Sequence, residues 1–326
     1  MLGIISKLYG RVANLRNSLY ERGVFETHDL GAFTVSIGNI TTGGTGKTPL
    51  VAYVAELLAA RGENVCILTR GYGREDVSKR VLVTADSDPN IAGDEPVELA
   101  LRLKDKAIII ADRDRVAAAE WASRKFKSTA FVLDDAFQHR RANRDLDIVC
   151  IDATDPFGGG EMLPTGHLRE PVEHLARADA IVITRADLVD DLTDLKAEIA
   201  SLAPDAQVFE CRNSIRAIWS LADAGNFSNK KSCYAFCGLG NPDSFVSLLA
   251  GEELVVISFR AFRDHHQYEQ ADIDAIELEA RAVGAEALLT TAKDGVKLAD
   301  LSFSLPIYIV EIDVTLSDPK AFANLF

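Results

Sequence analysis

Residues 33–62, FTVSIGNITTGGTGKTPLVAYVAELLAARG, constrain the fold more than any other part of the chain. A short apolar run leads into a glycine-rich turn, and the turn opens into a stretch of helical period. Strand, glycine turn and helix in that order form the context of a phosphate-binding loop. Glycines let backbone N–H groups approach phosphate oxygens, and the helix start adds its positive dipole end. The turn closes on Gly46-Lys47-Thr48, as G-x-x-x-x-G-K-[ST] requires, but Thr41 stands where that pattern has glycine. The variant loop K-G-G-x-G-K-T matches from Gly43 onward and has lysine where this chain has Thr42. Pro49 suits the first helical turn, where a missing N–H costs nothing.

Further short apolar runs alternate with helical patterns. Strands are expected at 65–68, 81–84, 107–111, 130–133, 148–151 and 180–184, with helices at 49–61, 95–103 and 115–125. Continuous apolar strands between helices indicate a parallel sheet covered on both faces. The expectation is an α/β fold with a P-loop NTPase-type parallel sheet core over residues 26–215. Residues 207–221 alternate like an antiparallel strand pair or a connector. A smaller α/β domain is expected over 216–326, with strands at 232–236, 254–259, 287–290 and 307–312.

FVLDDAFQHR puts Asp134 and Asp135 at the end of an apolar strand, where carboxylates in an open α/β sheet face the ligand crevice and can hold Mg²⁺ with the Thr48 hydroxyl. Solvated turn aspartates are the bland alternative. His139 is either a phosphate contact or an ordinary polar residue at a helix end. Asp94, in Gly93-Asp94-Glu95-Pro96, is either a base that accepts a hydroxyl proton or a helix cap. VITRADL at 182–188 is compatible with a guanine-reading element ending at Asp187, so a GTP-driven regulatory or metallochaperone-type NTPase is the second function class.

The net charge of −14 argues against a nucleic-acid partner. Residues 1–25 run against that trend: Lys7, Arg11, Arg16 and Arg22 oppose only Glu21, a net +3 that leaves −17 for the rest. Ile5, Leu8, Tyr9, Val12, Leu15 and Leu19 share one helical face there, which suits either a membrane surface or packing on the domain. No run reaches the ~18 apolar residues of a membrane span, and no signal-peptide core precedes the fold, so a cytoplasmic location is expected. Five cysteines without a C-x-x-C pair read as reduced thiols.

Taken in order, SIGNITTGGTGKTP, LTRGYGR, GDEP, LDDAFQHR, LPTGHLREP, ITRAD, FRDHHQY and TTAKDGVK resemble the tetraacyldisaccharide 4′-kinase (lipid A 4′-kinase) family over essentially the whole chain. Thr41 is no defect within that family. The resemblance implies transfer of the γ-phosphoryl group of ATP, with Mg²⁺, to the 4′-hydroxyl of tetraacyldisaccharide 1-phosphate, giving lipid IVA. It implies a peripheral site on the cytoplasmic face of the inner membrane and a two-stranded linker between the two domains. No nucleic-acid or protein partner is implied. It makes Thr41, Thr42, Gly43, Gly44, Thr45, Gly46, Lys47 and Thr48 the ATP loop, and Thr48, Asp134 and Asp135 the metal ligands. Lys47 joins Asp94, the proposed base, and His265, its support from the second domain, in the catalytic set; His266 is the alternative to His265. Arg70, Arg74, Arg115, His139 and Arg169 are candidates for substrate phosphate, with Arg113 beside them.

Overall fold

The computed structural model describes residues 2–221 and 227–326. Its strands are β1 (Phe33–Gly38), β2 (Val65–Thr69), β3 (Val81–Val83), β4 (Ala107–Ala111), β5 (Ala130–Asp134), β6 (Leu146–Asp152), β7 (Ala180–Thr184), β8 (Gln207–Ser220), β9 (Cys233–Cys237), β10 (Val256–Ala261), β11 (Ala287–Thr291) and β12 (Ile307–Leu316). The helices are α1 (Leu2–Glu21), α2 (Lys47–Ala60), α3 (Pro89–Ala92), α4 (Asp94–Arg102), α5 (Arg115–Phe126), α6 (Thr193–Leu202), α7 (Pro242–Gly251), α8 (Gln270–Ala282), α9 (Ala292–Gly295) and α10 (Pro319–Ala323).

All twelve strands join one sheet in the order β10-β9-β11-β12-β8-β7-β6-β1-β5-β2-β4-β3. From β8 to β4 the pairing is parallel, and β3 closes the edge antiparallel to β4. β1, β2, β5, β6 and β7 are buried almost throughout, as Val-, Ile- and Leu-rich strands require when helices cover both faces. The phosphate loop leaves β1, flanked by β5 and β6, so the ends of these strands share one crevice.

The 207–221 segment is one continuous strand. Residues 207–210 pair parallel with β7, and residues 211–220 pair antiparallel with 308–316 of β12. Its antiparallel mate is remote in sequence because residues 207–220 contain no Gly or Pro to turn the chain back. A bulge at Glu311/Ile312 marks this ladder. Beyond β12, residues return to the first core. Phe322 is fully buried with Tyr53 and Phe209, its ring perpendicular to that of Phe209, and Arg61 donates to the carbonyls of Ala323 (2.7 Å) and Phe326 (3.0 Å).

A charged node ties the ladder to two helices of the crevice. Arg102 of α4 donates to the Ile312 carbonyl (2.9 Å), Asp313 (2.8 Å) and Glu56 of α2 (3.2 Å), while Arg216 of β8 also reaches Glu56. Burial works against the Glu56 carboxylate, but Arg216, Lys106 and Arg102 hold it at about 2.

α1 packs by its polar side. Ser6 donates to the Met162 carbonyl at 2.7 Å, Asn17 donates to Glu170 at 3.0 Å, and both are buried. The apolar residues Leu2, Ile4, Leu8, Val12 and Leu15 face outward, Ile4 at 74% exposure. No helix among the described residues is long and apolar enough to cross a membrane.

Emptying the Phe322 socket leaves a cavity next to the helix that carries the phosphate loop. Phe322→Ala is expected to lower the unfolding free energy by about 3–5 kcal/mol, read from the midpoint of urea denaturation.

Candidate active site

Each part of the phosphate loop is held by a different neighbour. Gly43 (φ 104°) and Gly46 (φ 74°) adopt left-handed backbone that only glycine takes without strain, and Gly46 caps α2 with no side chain over the first N–H groups. Asn39 donates to the Thr45 hydroxyl (3.0 Å), Thr184 at the end of β7 donates to the Thr45 carbonyl (2.9 Å), and Arg185 donates to the Gly44 carbonyl (2.6 Å) while paired with Asp152. From the LPTGHLREP segment, the His167 carbonyl accepts from Thr42 N–H (2.8 Å) and Arg169 N–H donates to the Ile40 carbonyl (2.7 Å). Thr41 is buried, its backbone bridges to Leu168, and its methyl group lies against Gly158.

VITRADL thus braces the loop. Asp187 is exposed and does not line the cavity, so the element's contribution there is Arg185.

Lys47 lies 3.6 Å from Asp135 and 3.4 Å from the Thr45 hydroxyl. Asp134 accepts from Thr69 at 2.8 Å. Burial, together with Glu95 and Asp135, lifts the Asp134 carboxyl to about 6. Burial acts on Asp135 too, but Lys47, Arg169 and Arg115 overcome it and hold that carboxyl at about 2. Two neighbouring acids are therefore driven apart, as expected when one has the cations.

Asp94 is the first residue of α4. Gly93 is the cap, so the capping alternative for Asp94 gives way. Gly93 has φ 95°, and a Cβ there would meet the Tyr72 carbonyl at 3.1 Å, so the TRGYGR turn and the GDEP turn pack closely. Asp94 is 5% exposed and accepts from His265 Nδ1 at 2.8 and 3.1 Å. Its carboxyl is held below the usual range: burial opposes the charge, but His265, Lys293 and Lys297 outweigh it. His265 stands between Asp94 and the cavity; the ring lines the wall, and Asp94 lies behind it. His266 turns away, stacked on Phe262 and bonded to Asp272 at 3.0 Å.

These groups line one cavity of about 1010 Å³. It joins Thr42–Pro49, Asp134 and Asp135 to His265, Lys293 and Leu239–Asn241 from the second half, with Tyr9 of α1 also on the wall. Gly44 and Gly240 come close enough that a Cβ on Gly240 would sit 3.1 Å from Gly44 N.

Of the arginine candidates, Arg70 lines the cavity, as does Arg113, and among the described residues neither guanidinium has a carboxylate partner. Arg115 is buried on the carbonyls of Asp112 and Asp134, its pKa pulled down to about 10 by burial. Arg169 is engaged by both oxygens of Asp135 (2.8 and 2.9 Å). Arg74 is off the cavity, where it clasps the carbonyls of Val77, Lys79 and Ala111. His139 is on the wall and neutral near pH 7, since burial and then Arg115 and Arg144 push it down to about 4. Sequence reasoning gave no role to Glu95, Tyr72, Arg185 or Lys293; the two lysines of TTAKDGVK, spaced i and i+4, were the available sign of the last.

The profile of the tetraacyldisaccharide-1-P 4′-kinase family matches residues 1–326. Tetraacyldisaccharide 4′-kinases of Halothermothrix orenii and Geobacter metallireducens are 35% and 36% identical, covering 100% and 98% of this chain and 91% and 95% of their own lengths. Among solved structures, LpxK from Aquifex aeolicus, crystallised in complex with ATP, is similar with a TM-score of 0.77 at 29% identity, over 98% of this chain and 96% of that one. A phosphate loop braced this way, an acid pair beside it and a full-length match carry one conclusion: the chain belongs to the tetraacyldisaccharide-1-P 4′-kinase family.

Proposed function

We propose that this protein transfers the γ-phosphoryl group of ATP to the 4′-hydroxyl of tetraacyldisaccharide 1-phosphate, forming lipid IVA. The observation that carries the reading is the Asp94–His265 pair facing a braced phosphate loop across one cavity. The loop N–H groups and Lys47 bind the ATP phosphates. The sugar hydroxyl oxygen bonds to the γ-phosphorus as the bond to ADP breaks, and its proton passes to the Asp94–His265 pair. Asp94 supplies the charge and His265 presents it to the cavity.

Thr48, Asp134 and Asp135 fit Mg²⁺ by donor chemistry, a hydroxyl and two carboxylates, and the raised Asp134 carboxyl marks a buried acid short of positive charge. These residues would hold the ion, which would supply positive charge against the phosphate oxygens. Arg70 and Arg113 hold unpaired positive charge for the substrate's 1-phosphate. The P-loop body and a smaller body built on β9–β11 meet across this cavity, with β8 and β12 as the linker. Their closure excludes water from the transfer.

The outward apolar face of α1 rests on the cytoplasmic face of the inner membrane, beside the cavity that Tyr9 enters. Each of its basic residues near an anionic leaflet adds on the order of 1 kcal/mol.

Incubation with ATP, Mg²⁺ and tetraacyldisaccharide 1-phosphate is expected to add one phosphoryl group to the lipid, read by mass; no product, or transfer from GTP in preference to ATP, overturns the reading. Asp94→Asn and His265→Ala should each lower kcat by roughly 10²–10⁴-fold while ATP affinity is retained. Ile4→Asp with Leu8→Asp should abolish sedimentation with anionic vesicles and leave the melting temperature unchanged, because both side chains are already in solvent.

A further inference from the structure

Lys293 is built into the site, and the transfer just described does not use it. It enters on α9, which is pinned in place: Thr291 caps the helix, and the fully buried Asp294 accepts from Gly238 N–H (2.9 Å) and Thr291 (2.8 Å). The Lys293 side chain is 11% exposed. Its Nζ has three neighbours at hydrogen-bond distance: Glu95 Oε1 (3.1 Å), Asp264 Oδ1 (3.1 Å) and His265 Nε2 (3.3 Å).

An ammonium carries three donors and no acceptor, so three neighbours saturate it, and each of them must accept. Accepting from Lys293 requires His265 Nε2 to be the unprotonated nitrogen of the ring. The ring proton sits on Nδ1 and is donated to Asp94. Burial opposes the lysine charge, but Glu95, Asp94 and Asp264 hold Lys293 well above its usual pKa.

Alone with Asp94, a buried histidine is drawn toward the imidazolium, which gives a doubly protonated pair unable to take another proton. For His265, burial lowers the pKa and the Asp94 hydrogen bond, with Asp94 and Asp264 charge, raises it; the net direction is up, and the Lys293 ammonium limits the rise. The charged and titratable groups around the ring are Asp94, Glu95 and Glu98 from α4, Asp264 from its own loop, and Lys293, Asp294 and Lys297 from the α9 segment; Tyr72 packs on its face. Lys297 lies on the Asp94 side, 3.8 Å from Oδ2, so Lys293 is the cation that faces Nε2.

We propose that Lys293 is a positioning residue for the Asp94–His265 pair: its ammonium, anchored by Glu95 and Asp264, keeps His265 neutral with its proton on Nδ1, so that the pair has room for the proton of the sugar hydroxyl. The inference rests on the kinase reading for its chemical purpose, but its core is a protonation state that is measured without turnover.

The test uses the full chain as wild type, Lys293→Met and Lys293→Arg, with His265→Ala to assign the resonance. In long-range ¹H–¹⁵N spectra at pH 7.5, wild-type His265 should show the neutral ring with Nδ1 protonated. In Lys293→Met the ring should stay imidazolium to a pH about one unit higher, since a nearby like charge has been removed. The acid limb of kcat/KM should move up with it, kcat near pH 6.5 should fall about 5- to 10-fold, KM for ATP should hold, and Lys293→Arg should restore the profile. A wild-type ring protonated on Nε2, or a His265 titration unmoved in Lys293→Met, overturns the proposal, and the first of these needs no variant to fold. Absence of phosphorylated lipid with wild type would sink the kinase reading alone and leave the spectra to decide this one.

Discussion

The site is organised by the cost of burying carboxylates. Asp94 and Asp134 are withdrawn from water at the crevice, with Asp135 half-buried beside them, and an unpaired buried charge is among the most expensive groups a protein can hold. Each acid therefore needs cations from elsewhere in the chain. Lys47 comes from the phosphate loop, Arg169 from the LPTGHLREP segment, Arg115 from α5, and Lys293 and Lys297 from beyond β11. The partners lie far apart in sequence, so satisfying the acids draws distant segments to one place. Asp134, with a hydroxyl donor and few cations, is left as the group most in need of positive charge, next to the loop that handles phosphate.

The β8–β12 ladder makes that convergence geometrically possible. It continues the parallel sheet of the first half into that of the second, and Asn213 and Ile312 of the two strands line the cavity itself. The Arg102–Glu56–Arg216 node fastens the ladder to α2 and α4, helices that begin at Lys47 and at Asp94. Orientation of the second half is thus coupled mechanically to Lys47 and Asp94.

The sheet was legible in the sequence because parallel strands buried on both faces are written as mostly apolar runs, as in β2, β4, β5 and β7, whereas β1 and β6 carry buried Thr34, Ser36 and Asp147 within theirs. The β8–β12 pairing was only half legible: alternation marked residues 207–221 as an antiparallel strand pair or a connector, but no local signal names a partner nearly a hundred residues away. Lys47 and the acid pair were visible as motifs at strand ends. The meeting of His265 with Asp94 came from family resemblance, since nothing in a two-residue turn and a histidine pair predicts their contact across the fold. Arg74 misled for the opposite reason: an arginine after a strand end looks like a ligand group, and only three-dimensional placement shows it clasping backbone carbonyls. α1 was ambiguous because an apolar helical stripe reads the same whether it faces a core or a bilayer.

The return of residues 307–326 to the first core has a consequence for how the protein is made. α2, with Lys47 at its start, is packed on one side by Phe322 and held at its other end by Arg61 to the backbone of 323–326. During synthesis those residues emerge long after the P-loop body has been translated, so that body must wait with an apolar socket open. Contacts this distant in sequence slow folding and prolong exposure of sticky intermediates. The socket on α2 is therefore the last part of the first core to be filled.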